Sequence, residues 1–145
     1  MTVIIVTGTP GTGKTTYAKK FAKDKNYEYI DVKEVIKENN LSENHDDELD
    51  TDIIDTDKLN GVLIDIIKKE KNVVIDSHLS HYLPPELVDE CIVTKCNIKT
   101  LKKRLVERGY SESKVHENLD AEIFDVCRIE ALESGHNVIV IDTTQ

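Results

Sequence analysis

Long apolar runs are missing from this sequence. No stretch approaches the ~18 apolar residues of a membrane-spanning helix, which excludes an integral membrane protein. The Val3-Ile4-Ile5-Val6 run is too short for a signal-peptide core, so a cytoplasmic protein is expected. Cysteine occurs three times, as Cys91, Cys96 and Cys127. That odd number, without a C-x-x-C pattern, argues against a disulfide framework or a zinc site and for reduced, mostly buried thiols. Six glycines and three prolines leave no repeat and no low-complexity linker. Basic residues are outnumbered 19 to 28, for a net charge of −9. Broad nucleic-acid binding through a basic face is thereby disfavoured, while a basic protein partner would be accommodated. Arginine is the scarcest cation, present only as Arg104, Arg108 and Arg128.

What remains is a chain of 145 residues with 39% hydrophobic and 32% charged side chains, suited to one globular domain that buries roughly 70% of its unfolded surface. Short runs rich in β-branched residues predict strands at Val3 to Val6, Tyr27 to Ile30, Val73 to Ile75, Cys91 to Val93 and Val138 to Ile141. Helical spacing predicts helices over 14–24, just after Val32, over 56–70, and as two segments around Gly109. The second of these is expected to run through Leu119, Ile123, Val126 and Leu132. Buried strands alternating with helices indicate an α/β fold with a mainly parallel sheet and right-handed crossovers. Leu41 to Thr56 has no clear period and is expected to leave this core. Only a polar tail follows Ile141.

Gly8-Thr9-Pro10-Gly11-Thr12-Gly13-Lys14-Thr15 fits G-x-x-x-x-G-K-[ST], with Thr16 next. Glycines allow successive N–H groups to turn inward on a polyphosphate, and the helix that follows adds its positive end. Lys14 is placed to reach the β- and γ-phosphates, and the Thr15 hydroxyl to ligate Mg²⁺. ATP and Mg²⁺ are therefore the expected ligands, with Gly11, Thr12, Gly13, Lys14, Thr15 and Thr16 in the cradle. Asp76, at the C-terminal end of the Val73-Val74-Ile75 strand, supplies the carboxylate that a P-loop needs for its metal's water shell. His78 follows two residues later, where an imidazole orients water or a phosphoryl group, or is merely solvated. Arg104 and Arg108 share one helix face before Gly109. They are candidates to clamp phosphate oxygens, against the plainer alternative of a solvated basic face.

Four segments, Gly8 to Thr16, Asp76-Ser77-His78, Arg104-Leu105-Val106-Glu107-Arg108-Gly109-Tyr110-Ser111 and Asn118-Leu119-Asp120-Ala121-Glu122-Ile123-Phe124, resemble the adenylate kinase isoenzyme 6 family. The likeness runs from residue 2 to about residue 142. It implies a nucleoside monophosphate kinase fold of five parallel strands in the order 2-3-1-4-5, as a single domain over 1–145. An acceptor segment over about 30–50 and a short lid over about 107–117 are implied as well. The implied roles are Lys14, Asp76, His78 and Arg108 in catalysis, Arg104 and Arg108 on the ATP phosphates, and Thr15 and Asp76 at the metal. Asp142, Thr143 and Thr144 would border the adenine.

The resemblance further implies kinase and ATPase activities and a role in small ribosomal subunit maturation through a platform ribosomal protein. The sequence departs from ordinary monophosphate kinases in having no arginine before Arg104. Lys33, Lys37, Lys114 or His116 would have to hold the acceptor phosphate. Eight acids crowd Glu43 to Asp57 with no Lys or Arg among them; the plain reading is a solvated loop, and the alternative is a docking surface for a basic protein, since such a segment is a poor lure for an anion. Two functions are thus expected: transfer of the ATP γ-phosphoryl to a monophosphate such as AMP, or an ATPase assembly factor that binds and releases a ribosomal protein. A shikimate-type metabolite kinase shares this fold class without explaining the Asp-x-His and Glu-Ile-Phe matches.

Overall fold

A computed structural model describes residues 2–46, 51–77 and 83–144. In chain order the elements are β1 (Thr2–Gly8), α1 (Lys14–Lys25), β2 (Glu28–Asp31), α2 (Val32–Glu38), β3 (Ser42–Asp46), β4 (Thr51–Ile54) and α3 (Thr56–Lys69). They continue as β5 (Asn72–Asp76), a 3₁₀ turn at Pro85–Leu87, β6 (Glu90–Lys95), α4 (Ile98–Glu107), α5 (Glu112–Ile123), α6 (Val126–Glu133) and β7 (Val138–Asp142). Five strands form a parallel sheet in the order β2-β5-β1-β6-β7. Counted along that sheet alone, this is the expected 2-3-1-4-5.

Strand alternation sorts β1 between two cores. Val3 and Ile5 join Leu59, Leu63 and Ile67 of α3 and Ala131 of α6 on one face. Ile4 and Val6 meet Ala18 and Ala22 of α1 on the other. Leu59, Leu63 and Ile67 are at most 1% exposed, and each such burial contributes about 1.5–3 kcal/mol. A third cluster closes α4 onto α5 through Leu101, Leu105 and Val115. All three cysteines are free thiols, as expected. No helix among the described residues is long and apolar enough to cross a membrane.

One expectation changes. The predicted helix through Leu119 and Leu132 is broken: α5 ends at Ile123 and α6 begins at Val126. Asp125 between them adopts φ 58°, a left-handed conformation that ends a right-handed helix and that Asp tolerates better than most residues. The unpatterned excursion contains β3 and β4, an antiparallel pair separate from the main sheet. Charged strands of this kind carry no apolar alternation to read. Within the acidic segment Asp47, Glu48 and Asp50 lie outside the described residues, as does His78. On β7, at one edge of the sheet, Ile139 and Val140 are 38% and 48% exposed.

Candidate active site

The helices show where an anion belongs. Asp31, Asp55, Asn97 and Ser111 cap α2, α3, α4 and α5 by accepting a backbone N–H with the side chain. α1 and α6 lack such a bond, but α6 follows Asp125, which places an acid at its N-terminus, whereas α1 begins on Gly13, at φ 82°, with no acid at its cap or in its first turn. Its positive end is left for a ligand. At Gly8 a Cβ would lie 2.4 Å from Thr94 Oγ1, so the loop leaves the sheet only as glycine. Thr12 ties the loop to its base: its hydroxyl donates to the Thr9 carbonyl at 2.6 Å and shares a 2.8 Å hydrogen bond with Thr94 Oγ1.

Lys14 follows, half-buried at the mouth of this loop. Burial lowers its pKa; the nearby Asp76 carboxylate works against that shift, while Lys33 and Arg108 reinforce it. Two further cations thus act on Lys14 against a single carboxylate, a local balance that an incoming anion would improve. The β1–β5 register sets Val6 beside Asp76, and the β2–β5 register sets Asp31 beside it. Asp76 is 4% exposed. Its Oδ2 accepts from Thr15 Oγ1 at 2.8 Å and from Tyr29 Oη at 2.6 Å. The Tyr29 phenol is pushed well above its ordinary pKa, first by burial and then by its bond to Asp76. Thr15 and Asp76 present only oxygen donors, and no cluster of three or more His, Cys, Asp or Glu side chains stands ready to cage an ion among the described residues. That fits Mg²⁺, which takes one or two protein oxygens and completes its shell with phosphates and water.

A cleft of about 670 Å³ opens beside the loop, lined in part by Gly13, Thr16, Tyr17, Arg104, Arg108 and Thr143. The two arginines part company here. Arg104 Nη1 donates to the Gly11 carbonyl at 3.2 Å and to Cys96 Sγ at 3.4 Å, and Nη2 donates to the Thr143 carbonyl at 2.9 Å. Its fork is engaged with protein, bracing the loop from behind while its edge lines the cleft. Arg108, the C-cap of α4, is exposed. Its Nη1 donates a long 3.5 Å hydrogen bond to Tyr110 Oη. The 107–117 segment is the end of α4, the Gly109 turn at φ 77° and the first turns of α5. Among the cations considered for an acceptor phosphate, Lys114 lies 4.2 Å from the Tyr110 ring centroid and His116 pairs with Asp120 at 3.5 Å. Lys33 is the one coupled to Lys14.

Thr143 completes the cleft. Its N–H donates to the Lys95 carbonyl at 2.8 Å, and its hydroxyl bonds the Thr12 carbonyl. Asp142 accepts from the Thr144 N–H at 2.8 Å, which holds its carboxyl below the usual range. Behind the loop, Cys127 has its thiol pushed up to about 11 by burial, against a hydrogen bond with Thr9 and the charge of Lys14. Sequence reasoning missed Tyr29, Glu122 and the bracing role of Arg104. Glu122 did carry a signal: it continues the apolar stripe of Val115 and Leu119 at helical spacing, where an acid is out of place.

A glycine cradle on the central strand, with a carboxylate from the adjacent strand, defines a P-loop nucleotide-binding protein of the kinase type. Residues 4–125 match a family model described as AAA domain. The chain is 44% identical over 142 residues to a Pyrococcus furiosus protein described as "putative adenylate kinase", covering 98% of this chain and 75% of that one. It is 38% identical over 141 residues to the adenylate kinase isoenzyme 6 homolog FAP7 of Saccharomyces cerevisiae, covering 96% and 71%. The chain belongs to the adenylate kinase isoenzyme 6 family. In fold it is similar to the Bacillus subtilis YorR protein, solved with phosphorylated GDP, at a TM-score of 0.64 and 20% identity over 98% of this chain and 86% of that one. Shikimate kinase from Bacteroides thetaiotaomicron follows at 0.60 and 17%, over 98% and 86%.

Proposed function

We propose that the chain transfers the γ-phosphoryl group of ATP to a nucleoside monophosphate, AMP foremost. The observation that carries this reading is a half-buried Lys14 beside the Thr15-bonded Asp76 at the mouth of the cradle, with Arg108 exposed along the adjoining cleft and Lys33 near enough to act on the charge of Lys14. A hydrolase needs only the donor side of such a site; Lys33, in the first turn of α2 and electrostatically felt by Lys14, offers a charge to an acceptor. The relatives described as adenylate kinases support AMP.

Catalysis in this reading is positioning and electrostatics. Backbone N–H groups from Gly11 to Thr16 fix the donor phosphates. Lys14, unfavourably half-buried without an anion, gains its counter-charge when a triphosphate enters, so part of the cost of burying it is offset in the complex. Thr15 and Asp76 would hold Mg²⁺, which supplies neutralisation of the β- and γ-oxygens when bound. Tyr29 keeps Oδ2 of Asp76 directed at that site. Arg108 swings from the Gly109 turn onto the transferring oxygens, with 107–117 acting as the lid and 30–50 as the acceptor segment.

ATP hydrolysis coupled to release of a basic ribosomal protein is the second reading, favoured by the eight acids of 43–57 and the absence of an acceptor arginine. A coupled assay of ADP formation from MgATP, alone and with AMP, GMP, CMP or UMP, separates the two. Strong stimulation by AMP is expected. Equal rates with and without every monophosphate would overturn the kinase reading in favour of the ATPase.

A further inference from the structure

Glu122 is the acid that phosphoryl transfer leaves unexplained. Only 6% exposed, it sits on the last turn of α5, and its carboxylate gathers donors from three places. Oε1 accepts from Thr9 Oγ1 at 3.1 Å and from Lys95 Nζ at 2.9 Å; Oε2 accepts from the Cys96 N–H at 2.8 Å. Lys95 also donates to the Glu122 carbonyl at 3.2 Å and pairs with Asp125 at 2.9 Å. Asp125 in turn holds Arg128. Burial opposes the charge on Lys95, but the bonds to Asp125 and Glu122 outweigh it and raise its pKa. A buried carboxylate is expensive unless its lone pairs are filled, and here they are.

The donor that matters is Thr9. It lies inside the phosphate loop and is 1% exposed, and its carbonyl accepts from both the N–H and the hydroxyl of Thr12, at 3.1 and 2.6 Å. The helix bearing Glu122 starts three residues after Gly109, directly beyond the turn that carries Arg108. A chain of links results, from the Arg108 turn through α5 and Glu122 to Thr9 and Thr12, two residues before Lys14. A carboxylate serving only the core would have no need to grip the loop, and one serving only the loop would not sit on the helix that follows Arg108. We propose that Glu122 is a positioning residue, which clamps Thr9 and thereby sets the phosphate loop at a fixed distance from the Arg108 turn. The inference rests on the phosphoryl-transfer reading.

Misplacement of catalytic groups by a fraction of an ångström costs turnover before it costs binding. Thr9→Val keeps shape and removes the hydroxyl; it is expected to lower kcat about tenfold while KM for ATP and the melting temperature stay near wild type. Thr9→Ser, which keeps the hydroxyl, is expected to restore kcat to within about twofold. In a double-mutant cycle, Glu122→Gln combined with Thr9→Val should be no slower than the slower single variant, because both act through one contact. If Glu122→Gln fails to fold, the Thr9 pair tests the same contact from its other side. Wild-type kcat in Thr9→Val, failure of Thr9→Ser to rescue, or additive losses in the cycle would each overturn the clamp. A wild-type protein that forms no ADP from ATP would instead overturn the phosphoryl-transfer reading itself.

Discussion

Replacing Arg104 and Arg108 one at a time should give opposite results, although the two stand one helical turn apart in the same helix face. Arg104 spends its guanidinium on the carbonyls of Gly11 and Thr143, at 3.2 and 2.9 Å, and on Cys96 Sγ at 3.4 Å. Two charge-assisted bonds, each about 1.5–3 kcal/mol when lost in a partly buried setting, put Arg104→Ala at about 3 kcal/mol of stability. For a domain of this size that corresponds to a drop in Tm of roughly 10 °C. Arg104→Lys should recover only part of it, since an ammonium cannot span both carbonyls. Arg108 is exposed and reaches Tyr110 Oη only at 3.5 Å, so Arg108→Ala should move Tm by less than about 2 °C. Its cost falls on turnover: kcat lower by at least ~10-fold, equivalent to ~1.4 kcal/mol of transition-state stabilisation. Thermal melts without nucleotide, beside initial rates at saturating ATP, read both quantities. An Arg104→Ala variant with unchanged Tm and collapsed kcat would refute the brace, and an Arg108→Ala variant with normal kcat would refute the clamp.

Lys14→Ala should fold normally and lose ATP-dependent turnover by about two orders of magnitude or more; near-normal rates in a folded variant would remove the P-loop from the mechanism. Because burial depresses the Lys14 pKa, ATP affinity should weaken on the alkaline side at a lower pH than an ordinary lysine would give, with proton uptake on binding there; calorimetry in buffers of different ionisation enthalpy measures it. Tyr29→Phe frees Oδ2 of Asp76 from its 2.6 Å partner and should raise the Mg²⁺ concentration for half-maximal activity about tenfold, seen in a Mg²⁺ titration at fixed ATP. Burial opposes the charge on Asp125, but Lys95 and Arg128 outweigh it and hold its pKa below 3.8. A depressed folded value means stabilisation that is present above the unfolded pKa and lost as pH falls through the folded one. Asp125→Asn, which tolerates the same left-handed backbone, should therefore be less stable than wild type at pH 7, with the gap closing below about pH 4; a gap independent of pH in denaturant melts would contradict it.

Much of this protein is legible in its residues because the informative signals are local. β-branched runs gave the strands of the main sheet, and the loop from Gly8 to Thr15 announces its chemistry in eight consecutive positions. Asp76 is readable as the last residue of such a run. What escaped lies across long separations. Tyr29 meets Asp76 from 47 residues away, Arg104 meets Gly11 from 93, and Glu122 meets Thr9 from 113. No periodicity encodes such pairs. Arg104 and Arg108 look equivalent on a helical wheel; only the placement of Gly11 and Thr143 against one of them tells them apart. The break at Asp125 was hidden because apolar spacing continues across it, and the left-handed residue is an aspartate rather than the glycine that usually marks such a stop.

The sheet order has a consequence for how the chain reaches its native state. The central strand β1 is the first made, yet its partners are β5 and β6, in register Val6 with Asp76 and Ile5 with Cys91. Pairings of such long sequence separation close slowly, because loop entropy is spent before the contacts return it. The phosphate loop is therefore born early and shaped late: Thr12 acquires its bonds to Thr94 and Thr143 only after both distant segments have docked. During synthesis on the ribosome the loop would remain without its support until nearly the whole of this sequence had emerged. In the proposed reading nucleotide binding would report completed folding, and ATP, by binding the native state alone, would draw late intermediates toward it.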